Sequence, residues 1–220
     1  MGVREDRIER LREIDLYPVI TDEFTAGRGV LATLRAVAEG GARIAQLREK
    51  SLSRRELYEL AIDFRAICDE YKMLMIVDDE LDIALAVDAD GVHLGQDDLP
   101  ISPARLMAPE LIIGSSTHSI AEAVAAQDAG ADYVNIGPIY PTLTKDVPCG
   151  DLGEEVIAKI APLLDIPFTV MGGIKARHIP TLLSLGARRI AMVTEITQAD
   201  DVEAKVRELR ALWSVKAAGK

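Results

Sequence analysis

The chain has 220 residues, 49% of them hydrophobic, 28% charged and only 4% aromatic. A core drawn from Ala, Val, Ile and Leu suits helices packed on a parallel sheet better than an aromatic-rich β-sandwich. The formal net charge of −11 argues against nucleic acid as a partner, because phosphate backbones are bound through clustered Lys and Arg.

Cys68 and Cys149 are far apart, one in a helical pattern and one in a loop, which points to a reduced protein without a disulfide framework. No apolar run reaches the length of a membrane span and no signal peptide precedes the first helix. A cytoplasmic protein with no membrane partner is expected.

Residues 2–15 carry Ile8, Leu11 and Ile14 at helical spacing, so a helical extension over 1–15 precedes the main fold, as a lid or an appendage. Residues 17–21 read as a strand and 30–39 as a helix that stops at Gly40-Gly41. From there a unit repeats. Strands are expected at 42–47, 73–77, 90–94, 111–115, 132–137, 167–171 and 188–193. Helices are expected at 53–70, 81–87, 102–107, 119–129, 153–163, 176–185 and 201–213, with Ser53 and Glu56 forming a capping box. Helix stops leading straight into the next strand recur at Gly40-Gly41-Ala42, Gly130-Ala131 and Gly186-Ala187. Eight βα units in this length fit an α/β fold of the (β/α)₈ TIM-barrel kind. An open doubly wound sheet would carry a glycine-rich fingerprint after its first strand, and none is present. No linker divides the chain, so one domain is expected over 1–220.

In such a barrel the chemistry sits at the C-terminal ends of the strands. Polar residues collect there. Gln46, Arg48 and Lys50 lie on one side of the second strand and its exit, with Ala45 and Leu47 on the other. A buried strand with a row of donors on one face is costly unless an anion meets it. Asp78, Asp79 and Glu80 follow the third strand and Asp97-Asp98 the fourth. Neighbouring carboxylates repel unless a proton or cation lies between them, and Mg²⁺ takes one or two carboxylates plus phosphate oxygens. Ser116 follows the fifth strand, Thr142, Thr144 and Lys145 the sixth, Gly172-Gly173 the seventh and Thr194 the eighth. The glycine pair suits a backbone phosphate cradle, though a tight turn would need it equally. Solvated turns explain the Asp pairs as well, and their weight comes from meeting Arg48, Lys50 and Lys145 at one rim. His93 reads as a hydrogen-bonded interior residue, while His118 and His178 fall at helix starts as caps. No Ser-His-Asp, Cys-His or three-histidine arrangement is legible.

From position 17 to about 200 the chain resembles the thiamine-phosphate synthase family. The resemblance rests on Gln46-Leu47-Arg48-Glu49-Lys50, Val77-Asp78-Asp79, the run from Gly91 to Asp98, the run from Gly137 to Lys145, and Gly172-Gly173-Ile174. It implies a barrel that joins hydroxymethylpyrimidine diphosphate to a thiazole phosphate, with diphosphate leaving from a stabilised carbocation. It implies that Gln46, Arg48, Lys50, Asp78, Ser116 and Lys145 hold the pyrimidine diphosphate, with Arg48, Lys50, Ser116 and Lys145 at the reacting bond. It further implies that Asp79 and Asp98 bind Mg²⁺, and that Thr142, Thr144, Gly173, Val193 and Thr194 hold the thiazole phosphate. The partners are then two small phosphorylated molecules, and a homo-oligomer is compatible with all of this.

Three positions depart from the family pattern. Asp78 stands where Asn is usual, and its carboxylate would repel diphosphate unless metal-bound or protonated. Thr194 replaces a common Ser and keeps the hydroxyl. Asn135 stands where a small residue is frequent, which places a polar group inside the barrel. Two other readings remain: a thiazole tautomerase on the same barrel, which needs neither the acidic loops nor the Gln46 and Lys50 set, and a non-catalytic sensor of phosphorylated ligands.

Overall fold

The computed structural model of the protein describes residues 2–142 and 150–214. Eight parallel strands close in sequence order into a barrel, with β1 (Leu16–Ile20) pairing both β2 (Ile44–Leu47) and β8 (Arg189–Met192). Between them run β3 (Leu74–Asp78), β4 (Gly91–Leu94), β5 (Ile112–Thr117), β6 (Tyr133–Ile136) and β7 (Phe168–Val170). The helices are α1 (Val3–Arg12), α2 (Val30–Glu39), α3 (Arg54–Glu70), α4 (Leu81–Ala86), α5 (Ile101–Met107), α6 (Ile120–Asp128), α7 (Glu155–Ile160), α8 (Ile179–Ser184), α9 (Thr194–Thr197) and α10 (Val202–Ser214). All eight expected strands are present, with ends shifted by a residue or two. The four-residue α9 was not expected; it is too short to show a helical period. None of the described helices is long and apolar enough to cross a membrane.

The strand alternation sorts the core into two parts. Outward-facing residues such as Ala45, Leu47, Met75, Val77, Ile113 and Val134 pack under the helices. Inward-facing Tyr17, Val19, Ile44, Leu74, Ile76, Ile112 and Tyr133 fill the lower barrel together with Leu11 and Ile14. Along β2 the inward series runs from Ile44 to Gln46, and along β3 from Ile76 to Asp78. The barrel is therefore greasy at the bottom and polar at the top.

The α1 helix belongs to the bottom, which removes the lid alternative. Leu11 and Ile14 plug the strand starts, being 0% and 4% exposed. Arg4 and Arg7 hold the plug in place through a motif that occurs twice. Asp90, just before β4, accepts the Met75 amide and takes Arg7 and Arg65. Asp132, just before β6, accepts the Ile113 amide and takes Arg4 and Arg105. Each carboxylate is thus paired to a backbone donor, to α1 and to the helix outside its own strand pair. Removing one partner of such a buried group would leave an uncompensated charge, the costly direction of change.

Gly114 shows why a residue inside a strand gives up its side chain. A Cβ placed there would fall within the Tyr133 ring, which lies across β5. Gly114→Ala is expected to destabilise the barrel by about 1–3 kcal/mol through overpacking, read as a lower urea midpoint with an unchanged m-value.

Candidate active site

The open, C-terminal end of the barrel holds two adjoining cavities. One, of about 240 Å³, is lined by Gln46, Arg48, Lys50, Asp78, Asp79, His93, Asp97, Asp98 and Ser116. The other, of about 460 Å³, is lined by Thr142, Gly172, Gly173, Lys175, Val193, Thr194 and Glu195. Phe24, Ser116, Asn135, Met171, Ala191 and Val193 border both and form the partition. The expected site residues that are described fall into these two groups as the sequence reading divided them, with Ser116 and Val193 shared. Thr144 and Lys145 lie outside the described residues, as does Cys149.

In the smaller cavity two cations face two carboxylates. Arg48 Nε is 3.5 Å from Asp78 Oδ2, and Lys50 Nζ is 3.3 Å from the same oxygen. Lys50 also bonds Asp79. Asp78 thus has two cations beside it. Asp78 ends β3 itself, one residue later than the expected strand end, so its side chain points inward like Ile76. Asp79 follows with φ at +61°, a left-handed conformation that Asp tolerates better than most residues. Its amide donates to the His93 carbonyl at 2.8 Å, which ties the β3 exit to β4. Asp98 Oδ2 accepts the Gly95 amide at 2.6 Å and folds the β4 exit back over the cavity.

Among the described residues no three His, Cys, Asp or Glu side chains converge as a metal cage. The donor set still fits Mg²⁺. Asp79 and Asp98 line one cavity from adjacent strands, and this ion commonly takes one or two carboxylates with substrate oxygens and water completing its shell.

In the larger cavity Gly172 and Gly173 have φ of +97° and +61°. A Cβ on either would strike the backbone or ring of the segment from Pro138 to Pro141. Close approach of two loops therefore requires both glycines whether or not a phosphate binds, as the tight-turn reading had it. Lys175 was missed from sequence. It lines this cavity and pairs with Glu195 at 3.2 Å, and Glu195 Oε1 accepts the Ala176 amide.

Two of the three histidines sort as expected, and His118 is not the cap it was expected to be. His178 Nδ1 accepts the Lys175 amide, and its ring stacks on Tyr140 with centroids 4.0 Å apart. At α6 the cap is Ser119, which accepts the Glu122 amide, while His118 binds the Glu122 carboxylate. His93 is buried between Tyr133 and Ser116. Asn135, unexplained from sequence, accepts the Thr169 hydroxyl at 2.7 Å and donates to Met171 Sδ, so its polar atoms hold the partition between the cavities.

A sequence model of the thiamine monophosphate synthase family matches residues 16–196. The chain belongs to that family. A thiamine-phosphate synthase of Pelotomaculum thermopropionicum is 43% identical over 215 residues, 97% of this chain and 99% of that one. One from Halalkalibacterium halodurans is 42% identical over 194 residues, covering 88% of this chain and 92% of its own. Among solved structures, a thiamine phosphate pyrophosphorylase from Pyrococcus furiosus superposes with a TM-score of 0.85 at 37% identity, covering 94% of this chain and 98% of that one. A 3-hexulose-6-phosphate synthase, at 20% identity and a TM-score of 0.66, shares the barrel alone.

Proposed function

We propose that the protein is a transferase that joins hydroxymethylpyrimidine diphosphate to a thiazole phosphate, forming thiamine phosphate and releasing diphosphate in the cytoplasm. The observation that carries this reading is the pair of adjoining cavities, one rich in cations and carboxylates and the other lined by the Gly172-Gly173 turn. Two substrates that must meet end to end need two chambers with a shared boundary.

In the reaction the bond from the pyrimidine methylene to oxygen breaks, and its electron pair leaves with diphosphate. The thiazole nitrogen then supplies the pair for the new carbon–nitrogen bond. No protein nucleophile is required. Arg48 and Lys50 meet the developing charge on the leaving group as preorganised cations, and Lys145 would add a third by the family resemblance. Asp79 and Asp98 would hold Mg²⁺, which supplies Lewis-acid neutralisation of the diphosphate when bound. Met171, Ala191 and Val193 present apolar surface on the partition, keeping water from the reactive carbon. Thr142, Thr144, Gly173, Val193 and Thr194 would seat the thiazole phosphate.

A tautomerase would have no use for the paired cations and carboxylates of the smaller cavity. The direct test is to incubate the protein with both substrates and Mg²⁺ and to follow thiamine phosphate and diphosphate. Absence of product, with both ligands bound, would overturn the reading.

Asp78 gives a second measurement. It competes with diphosphate for Arg48 and Lys50, so Asp78→Asn is expected to free both cations and lower KM for the pyrimidine substrate. The expected kcat/KM is equal to the parent's or up to about 10-fold higher. A complete loss would mean that the carboxylate itself orders the site.

A further inference from the structure

A buried chain of hydrogen bonds runs beneath the smaller cavity from one wall to the other. Gln46 Nε2 donates to the Tyr17 hydroxyl at 3.2 Å, and the Tyr17 and Tyr133 hydroxyls are 2.8 Å apart. The Tyr133 hydroxyl is 2.9 Å from His93 Nδ1, and His93 Nε2 is 3.0 Å from Ser116 Oγ. The first four of these residues are 4%, 2%, 0% and 6% exposed, so water does not set their protons. Gly114 lacks a side chain where the Tyr133 ring passes, so the strand geometry is adapted to the chain of contacts.

Each phenol has one proton to give, and a phenol accepting from both neighbours would leave that proton buried and unspent, so the chain runs in one direction or the other. With the Gln46 amide donating, Tyr17 donates to Tyr133 and Tyr133 donates to His93 Nδ1. Neutral His93 then carries its proton on Nε2 and gives it to Ser116 Oγ. The Ser116 proton is left for the cavity, as is Gln46 Oε1. In the opposite direction the Gln46 amide must turn over, and Ser116 spends its proton on His93. The two walls therefore change character together. An anionic oxygen beside Ser116 needs a donor there and selects the first arrangement. Burial raises the pKa of both phenols, Tyr17 and Tyr133, so neither loses its proton near neutral pH.

We propose that Tyr17, Tyr133 and His93 are positioning residues that lock Gln46 as an acceptor and Ser116 as a donor. They thereby select a heteroaromatic ligand with an amino group on the Gln46 side and an anionic oxygen on the Ser116 side. This deepens the function proposed above and rests on it for the identity of the reaction.

Three measurements test it. Tyr133→Phe preserves the ring and cuts the relay, and is expected to lower kcat by about 10- to 50-fold with KM for the thiazole phosphate changed less than about 2-fold. In a Ser116→Ala background the same substitution is expected to cost less than about 2-fold, because the group it acts through is gone. Multiplicative losses in the double variant would overturn the proposal, since a general structural role would act in both backgrounds. Tyr17→Phe should narrow the preference for the aminopyrimidine over its oxo analogue by about 10-fold or more, and an unchanged preference would refute the Gln46 half. On the unaltered protein with Mg²⁺ and inorganic diphosphate, ¹⁵N NMR should find the His93 proton on Nε2. A proton on Nδ1 alone would refute the relay even if Tyr133→Phe fails to fold. That last arm needs no turnover. A parent protein that makes no thiamine phosphate but shows the Nε2 proton would sink the function and leave the relay standing.

Discussion

Arg48→Met is expected to lower kcat/KM by about 10³-fold while leaving the circular dichroism and the melting temperature close to the parent's. The backbone at this position is fixed before any ligand arrives, because the Arg48 amide donates to the Ile20 carbonyl at 2.9 Å and extends the β1–β2 pairing by one step. Its side chain is 22% exposed and faces a cavity shared with Lys50. A cation held there stabilises a leaving diphosphate more than the same charge in water would, and little reorganisation is needed as the bond breaks. The surrounding field makes the local cation matter more. With a formal net charge of −11, the protein as a whole repels anionic substrates. Arg48→Lys should recover only part of the loss, leaving a deficit of about 10-fold, because an ammonium lacks the planar fork that meets two phosphate oxygens at once. Steady-state kinetics on both variants decides the matter. Arg48→Met within 10-fold of the parent would remove Arg48 from the leaving-group site.

The parts of this site that were legible in the sequence are those written in period and position. Gln46, Arg48 and Lys50 could be placed on one side because strand alternation is rigid, and the greasy Ala45 and Leu47 confirmed the phase. The barrel followed from eight repeats of strand and helix, with glycine stops marking several of the joins. What could not be read depends on contacts between residues distant in sequence. Nothing near Tyr17 or Tyr133 announces that two strands 116 positions apart bring their hydroxyls together. The same holds for Asn135, whose partners come from β7 and its exit, and for Lys175, which is recruited by Glu195 on α9. The pairing of Asp78 with Arg48 and Lys50 was likewise not legible, since it joins the exits of two different strands. The N-terminal helix was expected from the spacing of Ile8, Leu11 and Ile14, but it is polar nearly all round, its buried residues are Arg7 and Leu11, and Ile14 lies beyond its end. Its arginines, which would have told bottom from top, needed Asp90 and Asp132 to give them meaning.

Asp98→Asn separates the structural use of this side chain from its proposed use as a metal ligand. The carboxylate accepts the Gly95 amide through Oδ2 and so shapes the turn at the β4 exit. An amide oxygen can accept the same bond, so Asn should keep the turn, whereas Asp98→Ala would lose the turn and the charge together. What Asn cannot supply is a second anionic oxygen beside Asp79. If these two carboxylates hold Mg²⁺, losing one charge weakens the ion's hold and leaves more of the diphosphate charge uncompensated as the bond breaks. The expected result is a fall in kcat of about 100-fold or more, with the Mg²⁺ concentration for half-maximal rate raised by about 10-fold. Asp79→Asn should behave alike but with a second consequence, since it also releases Lys50 from one of its two carboxylates. Its KM for the pyrimidine diphosphate should therefore rise less than that of Asp98→Asn. A titration of rate against Mg²⁺ for the three proteins distinguishes the outcomes. An Asp98→Asn protein with parental rate and an unshifted Mg²⁺ curve would confine Asp98 to the turn and send the metal assignment elsewhere in the cavity.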